Sequence, residues 1–191
     1  MTQSIPFRPL MVICRQISSD YLREMSHHVT PDPSVPTPAE LADQTLPFAV
    51  RRSGIQGYGG FATQDIPAGT RIIEYAGARL TPSEAEARYP DTPGARHHTY
   101  LFAIDDEVVV DAAENGNAAR FLNHSCAPNC DAVIEDGRIW IETMHDIEVG
   151  EELVYDYAYI LKERHTPAAK RRFPCACGAI TCRGTILARK R

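Results

Sequence analysis

The sequence lacks the features of several protein classes. No apolar stretch approaches the roughly 18 residues of a membrane-spanning helix, and the short run Leu10–Ile13 lacks the flanks of a signal peptide. Basic residues are in the minority, since 20 Lys and Arg stand against 25 Asp and Glu, and the formal net charge of −5 disfavours general nucleic-acid binding. Six cysteines in 191 residues are too few for a disulfide scaffold. We therefore expect a soluble, intracellular protein.

The composition is that of a globular chain with one domain of ordinary size. Hydrophobic residues make up 43% of the sequence, enough for a core without disulfides. Five of the 14 prolines fall between Pro31 and Pro47, which predicts an extended arm because proline fixes φ and removes an N–H donor. We expect an N-terminal helix and arm over 1–47, a central domain over 48–160 and a C-terminal tail over 161–191.

Local signals predict a mainly β fold with few short helices. Many short β-prone runs and the absence of a βαβ rhythm exclude a Rossmann fold. A helix should begin after Thr81, because Pro82 and Glu84 complete a capping sequence, and should end near Tyr89. The predicted strands are Phe48–Arg52, Gly60–Thr63, Thr70–Tyr75, Thr99–Ile104, Val108–Asp111, and a hairpin of Asp131–Ile134 with Arg138–Thr143. Further helical turns are predicted over 15–28 and over Asn117–Leu122.

Four short segments carry the functional signal. In chain order they are Gly57-Tyr58-Gly59, Glu74-Tyr75-Ala76-Gly77, Arg120-Phe121-Leu122-Asn123-His124-Ser125-Cys126, and Gly150-Glu151-Glu152-Leu153-Val154-Tyr155-Asp156-Tyr157. Each segment alone has an ordinary structural explanation, such as a turn or one face of a strand. Together and in this order, the sequence resembles a SET-domain protein-lysine methyltransferase of the mixed-lineage-leukaemia type, with a post-SET zinc tail.

The resemblance covers roughly Phe48 to Leu187 and implies a specific architecture. It implies a knot-like β fold (a β-clip) of small curved sheets, with S-adenosylmethionine in one pocket and the substrate lysine entering from the opposite face. A cysteine-rich module does not precede the domain in this sequence, so we expect a compact, stand-alone version of the family.

The resemblance also implies the cofactor-binding residues. Glycines on both sides of Tyr58 permit a close approach of backbone to cofactor, which a side chain would prevent. Asn123 and His124 match the family's cofactor-contacting pair, and Arg120 lies in the same segment. The implied cofactor-binding set is Gly57, Tyr58, Gly59, Tyr100, Arg120, Asn123, His124 and Tyr157.

Three tyrosines are the implied catalytic residues. Tyr75, Tyr155 and Tyr157 would line an aromatic channel that tolerates a partly cationic lysine head. Tyr157 matches the family's essential tyrosine, and Tyr155 the position that controls how many methyl groups fit. Plain core packing is the alternative for both. The substrate amine needs no dedicated base, since desolvation beside a sulfonium lowers its pKa.

The remaining cysteines predict a zinc site. Cys175, Cys177 and Cys182 lie close together in the chain, and tetrahedral zinc requires a fourth ligand. The family donor is Cys126, and Cys130, four residues later, is its rival.

These patterns together predict an S-adenosylmethionine-dependent protein-lysine N-methyltransferase that binds zinc. A basic protein tail such as a histone is the expected substrate, with mono- to dimethylation favoured and no direct contact with nucleic acid or membrane. The compartment would be the cytoplasm in a bacterium, with secretion as an effector an option, and the nucleus in a eukaryote. Two alternatives are a non-catalytic SET-fold module that acts as a protein-interaction scaffold and a zinc-dependent adaptor. A negative surface near the channel, or simply a solvated face, would come from Asp105, Asp106, Glu107, Glu148, Glu151 and Glu152.

Overall fold

The structure is a computed structural model that describes residues 11–12, 43, 45–89, 100–161 and 164–189. The expected helix over 15–28 and most of the proline-rich arm lie outside the described residues. Within the described ranges, no helix has the length and apolar character needed to cross a bilayer.

The described chain is built mainly from short strands. They are β1 (Met11–Val12), β2 (Phe48–Arg52), β3 (Tyr58–Ala62), β4 (Arg71–Glu74), β5 (Ala78–Leu80), β6 (Leu101–Ala103), β7 (Val109–Asp111), β8 (Asn123–His124), β9 (Cys130–Glu135), β10 (Arg138–Thr143), β11 (Glu152–Tyr155) and β12 (Tyr159–Ile160). Helices α1 (Pro82–Arg88) and α2 (Pro167–Arg172) and a 3₁₀ turn, Ala118–Phe121, complete the list. The mainly β fold predicted from the sequence is confirmed.

The strands form three small sheets. The largest has the order β2-β3-β11-β9-β10-β4, with β8 paired to β11, and the others are β5-β7-β6 and β1-β12. Strand β11 is the centre of the topology, since it pairs antiparallel with β3 and parallel with both β8 and β9. Segments distant in sequence therefore meet on one strand, whose last residue is Tyr155.

The structure confirms two local features predicted from the sequence, the turn of the β9–β10 hairpin and the start of helix α1. The β9–β10 hairpin turns at Asp136 and Gly137, whose φ values of 49° and 68° are those of a tight primed turn. Helix α1 begins as predicted, because Thr81 caps the amide of Glu84 while the Glu84 carboxylate caps the amide of Thr81.

Strand β3 begins two residues earlier than predicted. Tyr58 and Gly59 pair with Arg52 and Arg51 of β2, so the glycine-rich turn is shorter than its composition indicated. Backbone pairing decides this boundary, and Gly60 is required there because a Cβ would lie 2.4 Å from the Leu122 side chain. Helix α2 was not predicted, although Thr166 and Pro167 repeat the start signal of α1.

The C-terminal segment packs onto the same core as the central sheets. Leu187 is fully buried, and the Phe173 ring lies 5.1 Å from the ring of Tyr159. The Tyr159 amide donates to the Ile186 carbonyl, and the Ala188 amide donates to the Tyr159 carbonyl. The tail is thereby anchored two residues beyond Tyr157.

Candidate functional site

Four aromatic rings form a cluster at the end of β11. The rings of Tyr155 and Tyr157 have centroids 4.9 Å apart, and Phe102 stacks on Tyr155 at 6.4 Å. Tyr75 completes the cluster, 5.5 Å from Phe102. Tyr75 and Tyr155 are buried, whereas Tyr157 is partly exposed. The structure therefore brings together the three tyrosines singled out in the sequence and adds Phe102.

The two buried phenols of this cluster, those of Tyr75 and Tyr155, keep their protons. Burial raises the pKa of Tyr75 and Tyr155 well above the usual value near 10, and the neighbouring Tyr157 adds to both shifts. The Tyr75 hydroxyl donates to the Tyr100 carbonyl and the Tyr157 hydroxyl to the Leu122 carbonyl, each over 2.9 Å. Among the described residues, no group hydrogen-bonds the Tyr155 hydroxyl.

The Asn123 side chain organises the glycine loop before β3. Its amide nitrogen donates to the Tyr58 carbonyl over 2.8 Å and to the Gln56 carbonyl over 3.3 Å. A third bond of 2.8 Å runs to Oε1 of Glu152 in β11. Asn123 therefore ties the loop to the central strand.

The loop itself contains two glycines with different roles. Gly57 has φ of +48°, a conformation that glycine adopts without strain, and open space surrounds its Cα. At Gly59 a Cβ would stand 2.1 Å from Oε1 of Glu152. The backbone at Gly57 is therefore open to a ligand that approaches the main chain closely, whereas the Glu152 carboxylate already fills the space beside Gly59.

His124 is a neutral imidazole of defined tautomer. Its Nδ1 accepts the backbone N–H of Tyr157 over 3.1 Å, so the proton lies on Nε2, which is 3.4 Å from Sγ of Cys126. Burial is the largest cause that lowers the pKa of His124, to about 4. A carboxylate oxygen of Asp156 lies 3.5 Å from the same Nδ1, but the unprotonated nitrogen forms no ion pair with it.

Arg120 is a buried cation with unsatisfied donors. Its Nη1 donates to the Ala112 carbonyl over 3.0 Å, and its guanidinium lies 3.9 Å from the Tyr100 ring centre. Among the residues that the structure describes, Nε and Nη2 have no hydrogen-bond partner, although both are buried. Because buried donors are costly when unpaired, this edge of the guanidinium fits an oxygen-bearing ligand such as a carboxylate.

Four cysteine sulfurs converge beside this segment. The sulfurs of Cys126, Cys175, Cys177 and Cys182 all lie within 4.8 Å of one another. Cys126 Sγ is 3.7 Å from that of Cys175 and 3.9 Å from that of Cys182, and tetrahedral zinc thiolates imply about 3.8 Å between sulfurs. The cluster could therefore hold zinc.

Burial raises the pKa of Cys126 and Cys175, and backbone donors oppose it at several sulfurs of this cluster. Burial alone raises the pKa of Cys177, but N–H groups of Cys126 and Ala179 oppose it and bring the value down to about 6. The Arg183 amide donates to Cys126 Sγ over 3.3 Å and the Gly184 amide to Cys182 Sγ over 3.4 Å. Such N–H···S bonds orient metal-binding sulfurs.

Cys130 lies outside this cluster. It is buried in β9, opposite Tyr155, and burial raises the pKa of its thiol to about 12. A neutral thiol inside a sheet is a packing residue. The geometry thus favours Cys126 over Cys130 as a fourth ligand.

Three polar residues of this region were missed or misassigned by sequence reasoning. Glu152 was grouped with surface acids, but its carboxylate accepts bonds from the Ser53 hydroxyl and the Asn123 amide. Asp156 and Arg183 form an ion pair of 2.8 Å, and their spacing of 27 residues carried no signal. Burial in β11 does not alternate, since Leu153, Val154 and Tyr155 are all buried, so the strand pattern gave no signal for the role of Glu152.

Comparison with known proteins identifies the family. The SET domain model matches residues 57–158, more than half of the chain. The trithorax histone-lysine N-methyltransferase of Drosophila virilis is 44% identical over 140 residues, which are 70% of this chain and 3% of that protein.

Fungal relatives give similar matches. A histone-lysine N-methyltransferase described as H3 lysine-4 specific, from Aspergillus oryzae, is 40% identical over 77% of this chain and 12% of that protein. One of the same description from Candida albicans is 42% identical over 76% of this chain. The chain thus spans a small part of the length of these relatives, 14% for the Candida protein. With its β fold, tyrosine cluster and Asn-His segment, the chain belongs to the SET domain family.

Proposed function

We propose that this chain is a protein-lysine N-methyltransferase that uses S-adenosylmethionine. The observation that carries the proposal is the packing of Tyr155 and Tyr157 at 4.9 Å, with the Tyr157 backbone bound to His124. Membership of the SET domain family and relatives named histone-lysine N-methyltransferases support it.

The tyrosine cluster suits a lysine side chain, whose amine must be deprotonated before methyl transfer and is a cationic methylammonium after it. Aromatic faces attract an ammonium group, while their dry surroundings lower the amine pKa so that a neutral nucleophile forms. The protonated phenols of Tyr75 and Tyr155 place no anion beside the amine. When bound, S-adenosylmethionine would supply the methyl group: the amine lone pair would form the new N–C bond while the sulfonium S–C bond breaks, and the neutral thioether would leave. The Tyr157 hydroxyl donates to the Leu122 carbonyl, and this bond fixes the orientation of its phenol group.

The residues around the glycine loop fit the cofactor. The open backbone at Gly57 would accept a close ligand, Gly59 leaves room for the Glu152 carboxylate that supports the turn, and the unpaired edge of Arg120 would be satisfied by a carboxylate. Tyr100 packs on that guanidinium and holds it in place. The proposed cofactor-binding set remains Gly57, Tyr58, Gly59, Tyr100, Arg120, Asn123, His124 and Tyr157.

Zinc has a structural role in this proposal. The ligands would be Cys126, Cys175, Cys177 and Cys182, which join the tail to the Asn-His segment. We further propose that 48–160 is the SET domain and 161–191 the zinc-bearing tail.

A basic protein tail is the proposed substrate. Relatives described as H3 lysine-4 specific make the histone H3 tail the first peptide to test. Monomethylation, with some dimethylation, is proposed because the Tyr155 hydroxyl needs a partner that the described residues do not provide. The substrate amine or a water beside it would occupy that space.

The direct test is transfer of a labelled methyl group to core histones and to an H3 tail peptide. Tyr157→Phe removes one hydroxyl and almost no volume, so we expect intact folding and cofactor affinity with transfer reduced about 10²-fold or more. Tyr159→Phe, two residues later and outside the cluster, is the matched control and should keep most activity. Failure of the unmodified protein to methylate any histone or lysate protein, despite binding cofactor, would favour a binding module instead.

A further inference from the structure

Arg183 forms a bidentate ion pair with Asp156, the residue between Tyr155 and Tyr157. Nη1 and Nη2 of Arg183 each lie 2.8 Å from a carboxylate oxygen of Asp156. The side chains are 13% and 31% exposed, so water screens the pair only in part. Two parallel N–H···O bonds fix direction as well as distance, which a lysine in the same place could not do.

Asp156 in turn shapes the backbone after Tyr157. Its Oδ1 accepts the Ala158 amide over 2.9 Å, which closes a local side-chain turn around Tyr157. Ala158 has φ of +46°, an unfavourable conformation for a residue with a Cβ. The turn that carries Tyr157 therefore needs external support, and Asp156 supplies it.

Arg183 also connects this turn to the cysteine cluster. Its backbone N–H donates to Sγ of Cys126 over 3.3 Å, while its side chain reaches Asp156. A second connection runs through His124, whose ring touches Cys126 Sγ and accepts the Tyr157 amide. Both connections end on the same short segment, 156–158.

We propose that Asp156 and Arg183 are positioning residues that hold Tyr157 for methyl transfer. The ion pair fixes the Asp156 carboxylate, the carboxylate fixes the turn at Ala158, and the turn aims the Tyr157 hydroxyl. This inference rests on the proposed function, because it assigns the C-terminal tail a part in the alignment of a reacting group. Neither side chain is proposed to touch the substrate.

The test uses the full chain with its zinc and four variants. Arg183→Gln and Asp156→Asn each remove the ion pair, and Asp156→Asn keeps an oxygen that can accept the Ala158 amide. Arg183→Lys keeps the positive charge but lacks the two parallel N–H donors of the guanidinium. The double variant Asp156→Asn/Arg183→Gln measures the coupling energy between the two side chains. Arg171→Gln, an exposed arginine of α2, is the matched control.

We measure bound zinc, kcat and KM for an H3 peptide, and amide hydrogen exchange over 153–160. We expect zinc to stay bound and kcat to fall about tenfold or more in Arg183→Gln and in Asp156→Asn, with KM changed less than about threefold. Exchange of the Tyr157 and Ala158 amides should rise. The double variant should be no slower than the singles, Arg183→Lys should regain part of kcat, and Arg171→Gln should match the unmodified protein.

Three results would overturn the proposal. One is unchanged kcat in zinc-loaded Arg183→Gln and Asp156→Asn, and another is unchanged amide exchange at Tyr157. The third is a kcat loss that follows zinc loss in every variant, which would make Arg183 a part of the metal site alone. If Arg183→Gln does not fold, Arg183→Lys and Asp156→Asn decide the matter. If the unmodified protein transfers no methyl group, the proposed function fails, and hydrogen exchange still tests the ion pair.

Discussion

The backbone N–H of Tyr157 donates to Nδ1 of His124 over 3.1 Å, across 33 residues of chain. The other nitrogen of the same ring faces Cys126 Sγ at 3.4 Å. One imidazole therefore links the aromatic cluster to the cysteine cluster, and its depressed pKa keeps it in the neutral form that both contacts require. The candidate site is consequently a single bonded unit, and changes in one part should be measurable in the other.

Cofactor binding should stabilise the fold, because S-adenosylmethionine would bind the native chain and not the unfolded one. A ligand at 100 times its Kd adds about 2.7 kcal/mol, measurable as a rise in Tm. Asn123→Ala should remove most of this rise, since the glycine loop loses two hydrogen bonds and the bond that ties Asn123 to Glu152 is lost as well. Asn129→Ala is the control, because its amide bonds only the backbone of β11 among the described residues.

For that control we expect a lower Tm but an unchanged ligand-induced rise. A Tm that saturating cofactor does not move in the unmodified protein would contradict the proposed function.

Zinc should bind through Cys126 and not through Cys130. Metal analysis of Cys126→Ser should show loss of the ion, whereas Cys130→Ser should retain one zinc per chain, because Cys130 lies outside the sulfur cluster. A chelator should release the tail before the core unfolds, since ligation contributes directly to folding. Proteolysis after chelation would reveal this as early cleavage beyond Pro174. The reverse pattern for the two serine variants would exclude Cys126 as the fourth ligand.

Tyr155→Phe should increase the number of methyl groups added. The substitution removes the buried hydroxyl and any water bound to it, which frees room for a growing methylammonium. We expect chiefly monomethyl-lysine from the unmodified protein and more di- and trimethyl-lysine from the variant. Mass spectrometry of one H3 peptide at matched turnover distinguishes them. Abundant trimethyl-lysine from the unmodified protein would show that the channel is wider than proposed.

Gly77→Ala should destabilise the fold, because the new Cβ would lie 2.4 Å from the backbone oxygen of Asp111. Strand backbone cannot move aside cheaply, so we expect a loss of about 1–3 kcal/mol in the free energy of unfolding, measured by urea denaturation. Gly54→Ala is the control, since nothing lies within 4 Å of its Cβ position. Equal stability of the two variants would mean that the Gly77 segment rearranges freely.

Elements specified by neighbouring residues were predictable. The hairpin over 130–143 follows from Asp136-Gly137, and the start of α1 follows from Thr81, Pro82 and Glu84, because these signals act within four residues. Helix α2 carried the same start signal at Thr166 and could have been predicted. The first residue of β3 could not be predicted from the sequence, because it depends on pairing with β2 and on the space left by Leu122.

The sequence by itself determined the family, the mainly β class and the residue types of the site. Short motifs such as Asn123-His124, and the order in which they occur, can be recognised in the sequence without knowledge of their tertiary contacts. Only the tertiary structure decided how they meet: Glu152 against the glycine loop, Cys126 rather than Cys130 beside the C-terminal cysteines, and Arg183 on Asp156. The physical reason is the topology, in which β11 pairs with β3, β8 and β9, so partners lie 27 to 99 residues apart in the chain. No local propensity encodes such pairings, because they arise from packing of the whole core.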